Sequence, residues 1–320
     1  MQMDLSKYLQ NEPVEQPREQ KYTKEEYAAL KKQEREELWA EVDSKAQDIF
    51  KDGGSLQGFL DFVARQRQAH KTPNLLLLYS QNPEVQMVKT FDKWKEDGKM
   101  LKAGAKGIPF LVTQEYEKDG QMAQGYAITK AYDISQIRTR QPEPLPAKSM
   151  DDLMGALLAE SEVSIRIADN LPENIQAQYQ PRQRTIYVRN GMSENATFLA
   201  IARELSCAAL DQHDGSYSRS EAAAKAYCAA YVVAKKYGMD VSGFSFDKVC
   251  ERQTFGQKDP QELRSFLNDV KTATYKVDSH LRRSFGELAQ EFAPDEFAVA
   301  ESADTPKKGK PAKAKNQPER

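Results

Sequence analysis

The sequence predicts an α+β protein in two parts: an N-terminal α+β module over residues 21–137 and a mostly helical α+β domain over residues 149–290. Three observations support this. Apolar residues recur at helical spacing in both parts, strand-like alternation occurs in each, and a proline-rich stretch at residues 138–148 reads as a linker between them. The polar ends suggest a flexible tail over residues 1–20 and a disordered basic tail over residues 291–320.

Composition limits the possible classes of protein. A chain of 320 residues is long enough for two domains, and its formal charge of -2 argues against a wholly basic nucleic-acid coat protein. Any nucleic-acid site must therefore be a local patch. Three cysteines without a Cys-x-x-Cys pair favour a reduced, cytoplasmic protein. No signal peptide and no membrane partner are expected, because the apolar run at residues 75–79 is too short to cross a bilayer.

The N-terminal module begins with helices. Residues 22–42 form a charged helix, which Thr23 and Glu26 cap, and residues 44–50 continue it to a pair of glycines. Ser55 is predicted to cap a second helix, which begins at Leu56 and turns an apolar face to the core. The basic residues at its end complement the helix dipole or, less favoured, extend a basic patch; they are Arg65, Arg67, His70 and Lys71.

The rest of the module is predicted as short helices and strands. A short apolar helix ends near Tyr79, and a helix at residues 91–97 ends at Gly98. A strand is expected at residues 108–112, a hairpin at residues 114–121 and a returning strand at residues 126–132.

The second part is predicted to contain more helix than strand. Helices are expected at residues 150–160, 193–210, 220–236, 245–252 and 260–285. A strand at residues 163–167 and a hairpin of residues 176–179 and 185–188 complete it. The small residues of the helix at 220–236 allow close packing, so this helix is predicted to be buried.

Residues 89–106 combine positive charge with aromatic side chains. Six lysines face three acids here, and Phe91 and Trp94 lie among them, with Tyr79 upstream. Single-stranded nucleic acid needs cations along its backbone and aromatic faces for its bases. The alternative is that Phe91 and Trp94 pack inward and that the lysines are an ordinary solvated surface. The candidate DNA-binding residues are Tyr79, Lys89, Lys93, Trp94, Lys99, Lys102 and Lys106.

Separated motifs in this region resemble the N-terminal domain of ArdC-type antirestriction proteins, over residues 44–137. They are Asn74-x-x-Leu77, Gln81-Asn82-Pro83, Thr90-Phe91-x-x-Trp94, Gly98, Leu101-Lys102-x-Gly104-x-Lys106-Gly107-Ile108 and Tyr132-Asp133-Ile134-Ser135-Gln136. The resemblance implies binding of single-stranded DNA without sequence preference, in an accessory protein of conjugative or other mobile elements. It also implies a zincin-like second domain, whose helix would carry His-Glu-x-x-His.

The second domain departs from that metal motif. Arg203-Glu204-Leu205-Ser206-Cys207 stands at the motif, and Ala226 is near the position of the third ligand. Arginine stays protonated and cannot bind zinc, so we expect a degenerate domain with no metal, no cofactor and no enzymatic activity. Glu204 is then a buried hydrogen-bonding group or a partner for Arg203 or Arg219.

Two alternatives stay open from the sequence. Cys207, Cys228 and His213 are the candidate ligands of another metal site, and a cryptic metallopeptidase would use Glu204 with unorthodox ligands. An interaction adaptor without DNA binding is the second alternative. The favoured hypothesis is non-specific binding of single-stranded DNA, with the second domain as a scaffold or a surface for a protein partner.

Overall fold

The computed structural model describes residues 22–118, 121–138, 147–159 and 162–287. The predicted tails at residues 1–20 and 291–320, the linker residues 139–146 and the turn at Asp119-Gly120 lie outside the described residues. The described chain mixes helices with two small sheets, which confirms the α+β class. None of its described helices is long and apolar enough to span a membrane.

The first half of the described chain contains four helices and one three-stranded sheet. The helices are α1 (Lys24–Ile49), α2 (Gly53–Arg65), α3 (Thr72–Gln81) and α4 (Phe91–Glu96). The strands are β1 (Val88–Thr90), β2 (Ile108–Lys118) and β3 (Gln121–Asp133). All pairs are antiparallel, in the order β1-β3-β2.

The second half contains five helices and a second three-stranded sheet. The helices are α5 (Met150–Leu158), α6 (Glu194–Leu210), α7 (Arg219–Lys236), α8 (Asp247–Gln253) and α9 (Pro260–Ser284). The strands are β4 (Ser164–Ile167), β5 (Ala177–Gln180) and β6 (Thr185–Val188). β6 lies in the middle, parallel to β4 and antiparallel to β5, so the predicted hairpin is confirmed.

Local signals located the helix starts well. Thr23 and Glu26 form the predicted capping box, and the two predicted helical segments join into one helix. α2 begins three residues earlier than predicted, because Asp52 and not Ser55 caps it: the Asp52 side chain accepts from Ser55 N at 2.7 Å. Gly53 is required there, since a Cβ would lie 2.5 Å from Asp247 N at the start of α8.

The predicted strand, hairpin and returning strand of the N-terminal module are one long hairpin in the structure. β2 and β3 pair continuously from Ile108 with Ala131 to Lys118 with Gln121. The prediction of three separate segments was wrong because the polar residues between the apolar ones also join the ladder.

One hydrophobic core joins the two parts of the chain. Buried residues of α1, α2, α3 and the first sheet form a single cluster with residues of α7 and α9, including Tyr231 and Phe266. A second cluster lies between α5, α6, α7, α9 and the second sheet. α7 contributes to both clusters and is buried along much of its length, as its small residues predicted.

Candidate nucleic-acid interface and the altered metal motif

Trp94 anchors α4 to the first sheet. Thr90 caps the helix by accepting from Lys93 N, and the indole is fully buried with Ile134 and Ile137. Its Nε1 donates to Tyr132 O at 2.8 Å. The predicted stacking of bases on Trp94 is therefore corrected: this indole is a core residue and presents no free face.

Two of the predicted lysines lie over the same indole. Lys89 Nζ and Lys99 Nζ are 5.5 Å and 5.3 Å from the Trp94 ring centroid. Each distance is within the range of a cation–π contact, which fixes the ammonium groups near α4. The indole thus positions the two ammonium groups of Lys89 and Lys99.

Several of the predicted lysines already have partners in the fold. Lys89 Nζ is 3.0 Å from Asp97 Oδ2, and Lys93 Nζ is 3.1 Å from Glu96 Oε2. Lys102 Nζ donates to Ser135 O at 2.7 Å, which uses hydrogen-bonding capacity without neutralising the charge. Lys89 and Lys93 are consequently weaker candidates for phosphate contacts than the sequence indicates.

Of the three aromatic residues considered for base stacking, Tyr79, Phe91 and Trp94, Phe91 is the exposed one. It is 52% exposed at the first position of α4. Lys95, four residues later, lies on the same helix face and is exposed, without an ion pair among the described residues. Sequence reasoning named Phe91 and Trp94 together but did not separate the exposed ring from the buried one, because α4 has only six residues, too few for periodicity to define an inner and an outer face.

Further exposed lysines surround the turn after α4. Thr90 pairs with Ala131, so Phe91 directly follows, and Lys130 directly precedes, a paired residue of the β1–β3 ladder. The Lys130 side chain crosses Gly107, where an added Cβ would lie 2.7 Å from Lys130 Cβ. We call the exposed group the basic-aromatic patch; its members are Phe91, Lys95, Lys102, Lys106 and Lys130.

Tyr79 lies in a different setting. Its ring packs on Phe59 and Phe62, with centroid distances of 5.4 Å and 5.2 Å, and Lys45 Nζ is 5.3 Å from its centroid. Burial raises the pKa of its hydroxyl. In the described part of the chain, its ring contacts come from α1 and α2 and not from the predicted lysines, so the structure does not bring Tyr79 into the patch.

The motif residues Asn74 and Asp133 hold the fold. The Asn74 side chain donates to Leu111 O and accepts from Leu111 N, each at 2.8 Å, and so extends the edge of β2. Asp133 Oδ1 accepts from Gln86 N and Met87 N, and its Oδ2 accepts from Ser135 N at 2.8 Å. Both side chains are buried, which explains why they appear among the motifs without belonging to the patch.

The loop between α4 and β2 is held by the turn after β3. Lys102 N donates to Gln136 O at 2.8 Å, and Gln136 Nε2 donates to Lys106 O at 3.0 Å. The two lysines that flank Gly104 therefore have fixed backbone positions and exposed side chains. This arrangement presents cations on a rigid support.

In the second part, Glu204 is a fully buried carboxylate inside a cluster of cations. Arg219 contacts both of its oxygens, with Nη2 to Oε1 at 2.7 Å and Nη1 to Oε2. Arg203 Nε is 3.3 Å from Oε1, and Tyr179 N donates to Oε2 at 2.8 Å. The prediction that Glu204 pairs with Arg203 or Arg219 is confirmed, and both take part.

These residues do not fit the metal that a zincin-like domain would imply. Arg203 cannot coordinate a cation, Ala226 is a buried side chain without a donor atom, and Arg219 already occupies both oxygens of Glu204. Burial, with a smaller contribution from Glu204, raises the pKa of Cys207 to about 11. Its thiol is therefore protonated at neutral pH, whereas zinc binds thiolate.

The alternative set of metal ligands does not converge either. Cys207 and Cys228 lie in different core clusters, and His213 Nδ1 is 3.4 Å from Asp211 Oδ2. Within the four described ranges, no group of three or more His, Cys, Asp or Glu residues is arranged to hold a metal ion.

Comparison with known proteins gives a family match for the first half of the chain. Residues 30–141 match the family model of the N-terminal domain of anti-restriction factor ArdC. No curated protein matches the chain. The solved structures with similarity include the antirestriction protein ArdC from plasmid R388, metal-free, at 14% identity and a TM-score of 0.47. That alignment covers 76% of this chain and 98% of that chain.

A Mn(II)-bound structure of the same R388 protein aligns at 13% identity with a TM-score of 0.47, over 75% of this chain and 97% of that chain. Overall similarity at this level carries no weight for the second part, and the metal is a property of that protein. The match of residues 30–141 covers α4, both long strands and every motif residue from Asn74 to Gln136. Over residues 30–141, this chain is similar to the N-terminal domain of anti-restriction factor ArdC.

Proposed function

We propose that the N-terminal domain binds single-stranded DNA without sequence preference, within an antirestriction accessory protein of a mobile element. The observation that carries this proposal is the basic-aromatic patch: an exposed phenyl ring among exposed lysines on a fixed backbone. The ArdC N-terminal match supports the antirestriction context. The mechanism differs from the sequence-based one in its aromatic residue, because Phe91 replaces Trp94 and Tyr79.

The chemistry of the patch suits a flexible strand. Lysine ammonium groups attract phosphates of any sequence, and a ring face accepts any base. The patch shows no array of fixed side-chain amides that would read base edges, so we expect little sequence preference among oligonucleotides. Residues 89–106 contain six lysines and three acids, a formal charge of +3 in a chain whose total is -2. Because the whole chain is slightly acidic, a nucleic-acid site has to be a local basic patch, and this local excess of positive charge meets that condition.

The second part of the chain supports the first through the shared core. Tyr231 on α7 donates to Asp61 Oδ1 on α2 at 2.6 Å. Phe266 on α9 packs on Phe50 at the end of α1, with ring centroids 5.5 Å apart. We assign this part the role of a scaffold, with Arg219 and Glu204 in place of a metal centre. A protein partner on this part stays a prediction.

Fluorescence anisotropy with labelled oligonucleotides tests DNA binding. If about four phosphates are contacted, log affinity should fall with log salt at a slope near -3. Changing Lys95, Lys106 or Lys130 to alanine should each reduce that slope by about 0.7. Lys248→Ala on α8 is the matched control, because Lys248 is exposed and lies outside the patch.

The basic C-terminal segment needs a separate control. Residues 301–320 contain six lysines and arginines and could bind oligonucleotides non-specifically. The titrations are therefore repeated after deleting these residues. Absence of single-strand binding at low salt, with or without this segment, would contradict the proposal.

A further inference from the structure

All three histidines of the chain line one cavity. His70 follows α2, His213 follows α6 and His280 lies on α9, far apart in sequence. The cavity has a volume of about 1060 Å³ and lies between the N-terminal domain, the end of α6 and one side of α9. This volume is at the upper end of the range that small-molecule sites occupy.

The cavity is positively charged. Four basic side chains line it: Lys71, Lys271, Lys276 and Arg283. Its two lining acids, Asp211 and Glu162, have other contacts. Asp211 accepts from Tyr179 Oη at 2.9 Å and from His213 N at 2.8 Å, while Glu162 is 3.5 Å from Arg184. The cations therefore exceed the acids by two before any histidine is protonated.

Lys271 is a half-buried cation for which the described residues supply no compensating partner. It forms no ion pair or hydrogen bond with any of them. Burial, together with the charge of Lys71, lowers the pKa of its ammonium group. Two like charges that face one cavity destabilise the protein unless an anion lies between them.

The remaining walls offer apolar surface. Leu205, Ala208 and Val277 line the cavity beside these cations, and Tyr275 contributes a ring whose hydroxyl accepts from His70 N at 3.2 Å. Burial lowers the pKa of His70 to about 4, and that of His280 is also lowered, so both rings are neutral at pH 7. A cavity lined both by cations and by neutral, flat or apolar groups suits an anion with an organic body.

We propose that this cavity binds a phosphorylated ligand of nucleotide size, with its phosphate near Lys71 and Lys271 and its organic part against α6 and α9. The ligand is a free nucleoside monophosphate or the phosphorylated end of a strand. The two sources share the same chemistry. This site is separate from the basic-aromatic patch, and it does not depend on the proposed function of that patch.

Histidine side-chain NMR tests the proposal directly. Because the chain has only three histidines and all of them line the cavity, the imidazole signals of an untagged protein report on this site alone. Thymidine monophosphate, added to millimolar concentrations, should shift these signals saturably, and thymidine should not. Lys271→Gln should weaken binding about tenfold, as expected for one lost charge contact in a partly buried site.

The controls separate this site from the DNA-binding patch. Lys95→Gln should leave the nucleotide titration unchanged while it weakens oligonucleotide binding. Oligonucleotides with a 5′ phosphate and with a 5′ hydroxyl distinguish the two sources: histidine shifts that require the phosphate would assign a strand end, and equal spectra would assign the free nucleotide. Absent shifts with the monophosphate, shifts that persist unchanged in Lys271→Gln, or equal affinity for inorganic phosphate would overturn the proposal.

Discussion

Arg219 holds Glu204 in a two-point ion pair, with Nη2 2.7 Å from Oε1 and Nη1 against Oε2. The hydrogen bonds to Glu204 raise the pKa of Arg219, so the guanidinium is charged at every accessible pH. A buried carboxylate requires such compensation, and the guanidinium, fixed at the start of α7, provides it. The pair also links α6 to α7 at the position where a metal motif would lie.

Removing the guanidinium should destabilise the protein strongly. Arg219→Met leaves the Glu204 charge buried with only Arg203 and the Tyr179 amide as partners, and we expect a loss of about 3 kcal/mol in the free energy of unfolding. Urea denaturation at pH 7 measures it. Arg203→Met is the matched control, because Arg203 makes a single contact at 3.3 Å and should cost less. Equal losses in the two variants would contradict the dominant role of Arg219.

Adding metal should not stabilise the protein. Arg219 occupies both Glu204 oxygens and the Cys207 thiol is protonated, so Zn²⁺ and Mn²⁺ find no deprotonated pair of ligands in this region. Thermal unfolding with and without each ion should give the same midpoint, and elemental analysis should find less than stoichiometric metal. Stoichiometric zinc that disappears in Cys207→Ala would instead support the cryptic metallopeptidase.

The sequence was informative where the determining interactions are local. The Thr23–Glu26 capping box and the turn at Gly98 follow from residues close in the chain, whereas the sequence left open which group Glu204 contacts. The burial of Trp94 did not follow, since it depends on how α4 packs against β3 and the turn after it, where Tyr132 O accepts from the indole. The same applies to the cavity, where Lys71 and Lys271 meet only through the packing of α9 against the N-terminal domain.

Acid should destabilise the native state through His70. Its pKa falls from about 6.5 in the unfolded chain to about 4 in the fold, because burial disfavours the charged ring. Between these values the unfolded state binds the extra proton, so stability is full above pH 6.5 and decreases as the pH falls towards 4. The total loss from this residue is about 3 kcal/mol.

Replacing the ring isolates this contribution. In His70→Gln, the free energy of unfolding should vary less steeply between pH 6.5 and pH 4 than in the wild type, whatever its absolute value. Gln212→Ala is the control, because Gln212 is exposed and has no titratable side chain, so its replacement should leave the slope unchanged. Parallel pH profiles for wild type and His70→Gln would exclude His70 as the source.

Asp133 should matter for folding more than for DNA. Its carboxylate accepts from three backbone amides, of Gln86, Met87 and Ser135, and so connects the end of β3 to the residues before β1 and to the turn after β3. Asp133→Ala leaves these donors without their acceptor in a buried site and should cost about 2–3 kcal/mol. Urea denaturation measures the loss. An unchanged midpoint would show that other acceptors, such as water, replace the carboxylate.

Phe91 and Trp94 should separate DNA binding from stability. Phe91 is exposed, so Phe91→Ser should change the free energy of unfolding by no more than about 0.5 kcal/mol. The same change removes a stacking face and should weaken oligonucleotide binding by about 1–3 kcal/mol. Trp94→Phe should have the opposite profile, because it deletes the Nε1 donor to Tyr132 O and leaves that carbonyl buried without its partner.

The two variants are compared by anisotropy with the same oligonucleotide and by urea denaturation in the same buffer. The DNA titrations of Trp94→Phe are made without urea and well below the temperature at which this variant unfolds, so that weaker binding cannot result from unfolding. Lys89 and Lys99 still have an aromatic face beneath them in this variant, so the local charge is retained. If Trp94→Phe weakens binding as much as Phe91→Ser does, base stacking cannot be assigned to Phe91, and the patch acts through its lysines alone.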